Sequence, residues 1–164
     1  MKNNYLLQFC LFFLVVGFQS HAQGIYLYME DVTTGSGLAS PHDNEIKLTS
    51  AQMDVSKEGS AAPAFSEYSL TKDLDMSSAS LMTHVVTGAI PKFVEIRYYN
   101  STNEIVSRVE LQNALVTKYS ASSADCGGSC PTLSESFSIS FGGIQVVHQS
   151  NLKDPTFFNY NYTP

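Results

Sequence analysis

The residues whose types and spacing suggest chemistry are few. Cys126 and Cys130 stand in Asp-Cys-Gly-Gly-Ser-Cys, three intervening residues apart. Ser69 and Lys72 have the Ser-x-x-Lys spacing of some acyl-enzyme hydrolases, a motif that works at the start of a helix where both side chains meet on one face. Here they fall in an alternating run, and residues three apart on a strand point to opposite faces. His42, in Ser-Pro-His-Asp-Asn-Glu, has carboxylates on either side and the donor set of a general base or metal ligand, although a polar loop histidine is the commoner fact. His84 and His148 have no His or Cys at ligand spacing. Gly35-Ser-Gly-Leu-Ala-Ser40 lacks the last glycine of a dinucleotide fingerprint and runs into Pro41, not a helix. Asn100-Ser-Thr and Asn161-Tyr-Thr match glycosylation sequons. No catalytic, cofactor-binding or metal-binding set emerges, so the expectation is a protein that is not an enzyme and needs no cofactor.

The chain has 164 residues and a formal net charge of −6. Residues 5–18 form a charge-free apolar run after Lys2, and Ser20 and Ala22 are small residues at the spacing that signal peptidase accepts. The run is short for a bilayer, which needs about 20 apolar residues. A signal peptide over 1–22, cut between Ala22 and Gln23, is therefore the expected reading, with an uncleaved anchor as the alternative. Cys10 lies near the start of the apolar run, not at its end, so a lipid anchor is discounted. Removing the leader makes the net charge more negative by the loss of Lys2. Nucleic acid and anionic membranes bind through basic residues that neutralise phosphate charge, so neither is expected as a partner. Removal also takes Cys10, leaving Cys126 and Cys130 in a chain bound for an oxidising compartment. There a disulfide across the Gly-Gly turn is expected as a staple of a loop tip, worth about 2 kcal/mol for so short a loop. Two free thiols, and redox or metal chemistry, remain the other readings.

The rest of the chain reads mainly as strands. Gly24–Glu30 alternates Ile25, Leu27 and Met29 with Tyr26, Tyr28 and Glu30; Asn44–Ser56 places Ile46 and Leu48 on one face. Residues 65–75 alternate up to Asp75. Residues 92–100 set Val94, Ile96 and Tyr98 against Phe93, Glu95, Arg97 and Tyr99. After the turn Asn100–Asn103, residues 104–122 suffice for one bent strand or two short ones, and 134–141 and 142–150 read as a closing pair. One helix is expected at about 77–87: Ser77 or Ser78 as its N-cap, Leu81 with Val85 and Met82 with Val86 sharing faces, Gly88 beyond its end and Pro91 stopping it. Such a helix would cover an open barrel end or a sheet edge.

Taken in order, His42–Ser50, Phe65–Gly88, Phe93–Asn100 and Glu135–Val147 resemble Hcp, the haemolysin-coregulated tube protein of type VI secretion systems. The shared marks are a His-containing loop before a strand, a strand ending Thr71-Lys72 with Asp75 shortly after, a serine-capped helix followed by Gly88, and a closing hairpin patterned Glu135-x-Phe137-x-x-x-Phe141-x-x-Ile144-x-Val146. The resemblance spans residues 25–149. It implies a mainly β fold, an Hcp-like barrel of two antiparallel sheets over 23–150 with one short helix packed on its side. It also implies a self-partnering protein whose rings, usually hexameric, stack into a tube, with secretion effectors or spike proteins as further partners.

Three features depart from that family: the leader, the Cys126–Cys130 loop, and the tail over 151–164, where Phe157, Phe158, Tyr160 and Tyr162 crowd a polar end and must pack on a surface or a neighbour. They point to an exported member, periplasmic or extracellular. The competing reading is a secreted or periplasmic β-barrel that binds a peptide, glycan or surface ligand; a secreted hydrolase comes third. The polar loop 32–44 is the expected arm to a neighbouring ring. Non-reducing peptide mapping of the exported protein is expected to find Cys126 joined to Cys130 without metal, and two alkylatable thiols would refute the staple.

Overall fold

The computed structural model describes residues 23–32, 42–123, 133–149 and 156–161. The leader 1–22, the Cys126–Cys130 loop and residues 33–41 of the expected arm lie outside them. The described chain is built from β1 (Gly24–Met29), β2 (Ile46–Leu48), β3 (Ser50–Gln52), β4 (Val55–Ser56), β5 (Ala64–Phe65), β6 (Tyr68–Asp73), α1 (Ser78–Thr87), β7 (Val94–Tyr99), β8 (Ile105–Gln112), β9 (Leu115–Ser122), β10 (Ser134–Ser140), β11 (Gly143–His148) and β12 (Thr156–Asn161). A six-stranded sheet runs β12-β11-β8-β7-β1-β2, a four-stranded sheet runs β3-β6-β10-β9, and β4 and β5 make a small hairpin. Every pairing is antiparallel.

Period-two alternation fixes which side of each sheet faces the core. Leu27, Met29, Val94, Ile96, Val109, Leu111 and Ile144 come inward from the larger sheet; Leu70, Val116, Phe137 and Ile139 meet them from the smaller one. The expected strand over 44–56 is broken into three. At Thr49 the chain leaves the larger sheet for the smaller, and the corner is held by the Thr49 N–H on the Thr71 carbonyl at 2.8 Å and by the two threonine hydroxyls at 2.7 Å. Residues 104–122 form two strands that belong to different sheets. Their crossing at Asn113 (φ 51°) lies beside the crossing from β10 to β11, where a Cβ on Gly142 would sit 3.3 Å from that of Asn113. The tail supplies β12, which pairs with β11 along its length.

Helix α1 packs against β9, the edge strand of the smaller sheet. Gly88 ends it in the left-handed region, its N–H bonded to the His84 carbonyl at 2.9 Å. The serine cap differs from expectation. Ser77 is the capping residue, yet its side chain bonds no helix N–H; it donates to Asp75 Oδ1 at 2.6 Å.

Ser78 is diverted as well, into a buried polar cluster. Lys72 and Glu135 face each other across β6 and β10 with no exposed side-chain surface, and their charged ends form an ion pair. Lys72 Nζ also reaches Asp75 Oδ1 at 2.8 Å, the Asp73 carbonyl at 2.8 Å and Ser78 Oγ at 3.2 Å. Ser78 donates to Glu135 Oε1 at 2.9 Å, and the Tyr119 hydroxyl from β9 donates to Oε2 at 2.5 Å. Both oxygens of the buried carboxylate are thereby satisfied, the condition under which such a pair is tolerated in a low dielectric. The cluster ties the start of α1 to three strands.

Two outcomes follow. Lys72→Met leaves Glu135 buried without its counter-charge and should lower unfolding free energy by about 3–5 kcal/mol; Lys72→Met with Glu135→Leu should lose clearly less, read by urea unfolding. The Tyr119 phenol is pushed up to about 12 by burial and by Glu135. Because the folded state raises this pKa, its contribution is complete below pH 10 and is lost as pH rises from about 10 through about 12. Phenolate absorbance at 295 nm should show several late-titrating tyrosines, Tyr68 and Tyr99 among them, and the late fraction should fall by one phenol in Tyr119→Phe.

Candidate functional site

A second polar cluster lies on the outer face of the larger sheet. Tyr26 and Tyr28 on β1 alternate outward with the core residues of that strand, and β7 opposes them with Arg97 and Glu95. Glu45, buried just before β2, accepts from Arg97 Nη1 at 2.7 Å and from the Tyr99 hydroxyl at 2.9 Å on one oxygen, and from His42 Nδ1 at 2.5 Å on the other. Arg97 Nε donates to Glu95 at 2.5 Å, and the guanidinium sits 4.8 Å from the centre of the Tyr28 ring. Burial works against the charged guanidinium, but the bonds to Glu45 and Glu95 outweigh it and hold the Arg97 pKa above its ordinary value. Burial and Glu45 push the Tyr99 phenol up to about 12 and raise that of Tyr26.

His42 is the sequence candidate that this cluster absorbs. Its ring stacks on Tyr26 with centroids 3.9 Å apart, meets Tyr99 edge-on, and turns Nε2 to Asn103 Oδ1 at 2.8 Å. With both nitrogens engaged, the ring clamps the end of the 32–44 loop to β1 and to the β7–β8 turn. It has no lone pair turned toward solvent for acid–base work. Glu45 likewise has both oxygens bound.

The other candidates are dispersed. Ser69 is exposed while Lys72 is buried, so the Ser-x-x-Lys pair points to opposite faces as a strand requires. His84 is buried on α1 with Nδ1 on the Ser80 carbonyl at 2.9 Å, and His148 is exposed at the end of β11. Asn100 spends its amide within its own turn, Nδ2 on Glu104 at 3.0 Å and Oδ1 on the Thr102 and Glu104 N–H groups, so a sugar there would break the turn. Among the described residues no group of three or more His, Cys, Asp or Glu could hold a metal ion, and no helix is long and apolar enough to cross a membrane.

What the surface offers instead is apolar area. Leu81 is buried on the inner face of α1, but the second apolar stripe, Met82 with Val86, is exposed, Val86 at 85%. Leu74 and Met76 just before the helix and Ile90 just after it are exposed too, as is Leu133, whose carbonyl accepts from the Leu74 N–H at 2.8 Å. Elsewhere, the β4–β5 hairpin, the end of β10 and β12 enclose a cleft of about 450 Å³ lined by Pro63, Phe65, Glu67, Phe141 and Tyr160. Its rings touch: Phe65 lies 4.7 Å from Tyr160 and 6.3 Å from Phe141 between centroids.

The buried cluster and the cleft were not singled out from sequence. Lys72 shares the inward parity of Tyr68 and Leu70, and Glu135 that of Phe137 and Ile139; two opposite charges on core-facing positions were the available signal. The cleft unites residues from distant segments and had none.

The family model for the type VI secretion system effector Hcp matches residues 26–148. Among solved structures, Hcp1 from Salmonella typhimurium superposes with a TM-score of 0.75 at 15% identity, covering 86% of this chain and 95% of that one. The secreted protein Hcp3 from Pseudomonas aeruginosa gives 0.71 at 15%, covering 87% and 100%. A type VI secretion system effector from Yersinia pestis gives 0.71 at 17%, covering 84% and 98%. Identities this low carry the fold and nothing finer. Among curated proteins none matches the chain.

Proposed function

The chain belongs to the Hcp family of type VI secretion system effectors, and on that premise we propose that it is an exported, self-assembling tube subunit whose copies close into rings of six that stack. The observation that carries this reading is the apolar flank of α1. On a family fold with a complete core, six large hydrophobic side chains around one helix are open to water, which a subunit that meets neighbours has reason to keep and a solitary domain does not. The polar clusters serve this role as supports: Lys72–Glu135 fixes the helix, and His42–Glu45 fixes the root of the 32–44 loop, the arm we assign to contacts between rings. Export rests on the leader over 1–22, and the Pseudomonas protein is itself described as secreted. Effectors or spike proteins are the further partners that a tube would carry.

The aromatic cleft favours a second reading, a β-barrel binding module for a peptide, glycan or surface ligand. Mass and shape in solution separate the two. The purified exported chain is expected to give the mass of six subunits by light scattering and annular particles by electron microscopy; a chain that stays monomeric at high concentration would promote the binding module. N-terminal sequencing of that exported chain is expected to begin at Gln23, and a full-length chain retained in the cytoplasm of its own host would count against export.

A further inference from the structure

Eight large hydrophobic side chains are exposed among the described residues, and they fall in two places only. Met82 and Val86 lie on α1, Leu74, Met76 and Ile90 within four residues of its ends, and Leu133 is bonded to Leu74; Val55 and Phe158 belong to the strands that build the aromatic cleft, Val55 opposite Phe65 and Phe158 two residues from Tyr160. One surface is a convex helical ridge, in which Met82 and Val86 lie one turn apart. The other is concave and walled by rings. They are also distinct: α1 packs on β9, while the cleft is lined from the β4–β5 hairpin, the approach to β6, the end of β10 and β12. Each surface also offers one charge of opposite sign. Lys92 stands at the end of the ridge beyond Ile90, Glu67 lines the cleft, and neither has an ion-pair partner among the described residues.

We propose that the Met82–Val86–Ile90 ridge of one copy seats in the Phe65–Phe141–Tyr160 cleft of the next, with Lys92 facing Glu67. This rests on the self-assembly reading and names the surfaces that perform it. Two different patches on one chain make a heterologous contact, the class that closes into a ring when its rotation permits. A self-matching patch would stop at a dimer. Tyr160 lies beyond the residues matched to the family model, so this cleft takes a wall from the chain's own C-terminal strand.

Charge reversal with rescue tests it in the purified chain by sedimentation velocity. Val86→Asp should weaken association by about 30-fold or more, as for a central interface residue, and Tyr160→Ala should weaken it in the same sense. Lys92→Glu and Glu67→Lys should each cost about tenfold by opposing like charges, and combining them should return association to that of the unmodified chain. Val86, Lys92 and Glu67 are exposed, whereas Tyr160 packs partly against the core; unchanged unfolding midpoints keep folding out of the first three, and Tyr160→Phe, which keeps the packing, is read beside Tyr160→Ala. Assembly untouched by Val86→Asp and Tyr160→Ala, or two charge reversals that add instead of cancelling, would overturn this contact and leave the tube reading standing. Absence of any assembly in the unmodified chain would overturn both.

Discussion

The buried pairing of Lys72 with Glu135 is a constraint that every element around it has to meet. A charge at a core-facing position is costly unless it is neutralised and its remaining bonds are filled. Here that requirement recruits Asp75 and Ser78 from the approach to α1 and Tyr119 from β9. The helix therefore starts where it does because the cluster needs its first serine. Two serines that read as caps are diverted, one to brace Asp75 and the other to the carboxylate. The short helix gives up side-chain capping, worth roughly 1 kcal/mol, for an anchor on the sheet.

That trade explains what could be read in advance and what could not. Alternation in Ile25–Leu27–Met29 and Val94–Ile96–Tyr98 announced strands and their inner faces, since burial and period two leave one consistent register. Gly88 and Pro91 announced the end of the helix. The resemblance of Thr71-Lys72, Asp75 and the closing hairpin to Hcp marks supplied the architecture that the family match bears out. The corner at Thr49 and the crossing at Asn113 were less legible, because both depend on which sheet receives the next strand and not on local preference. The pattern Leu81–Val85 and Met82–Val86 pointed to two apolar faces on α1 without saying that only one would be covered. A partner's surface is not written in one chain's periodicity. Lys72 was paired by spacing with Ser69, whereas cross-strand register gives it Glu135.

The two polar clusters divide the work of holding irregular segments on a regular barrel. Glu45, Arg97 and His42 do for the 32–44 loop root what Lys72 does for the helix. Tyr26 and Tyr99 add ring contact that shields those bonds from water. In both places aromatic hydroxyls or faces meet a carboxylate that would otherwise be stranded. Rigid attachment of the helix and of the loop's root is what a subunit needs if neighbours are to meet in one geometry.

Strand β12 has a consequence for how the larger sheet meets other chains. Without it the edge of β11, with Ile144, Val146 and Val147, would have no outer neighbour. An open apolar edge of that kind templates intermolecular pairing. The aromatic strand thus works as a guard, taking the outermost place itself so that the backbone of β11 is already spoken for.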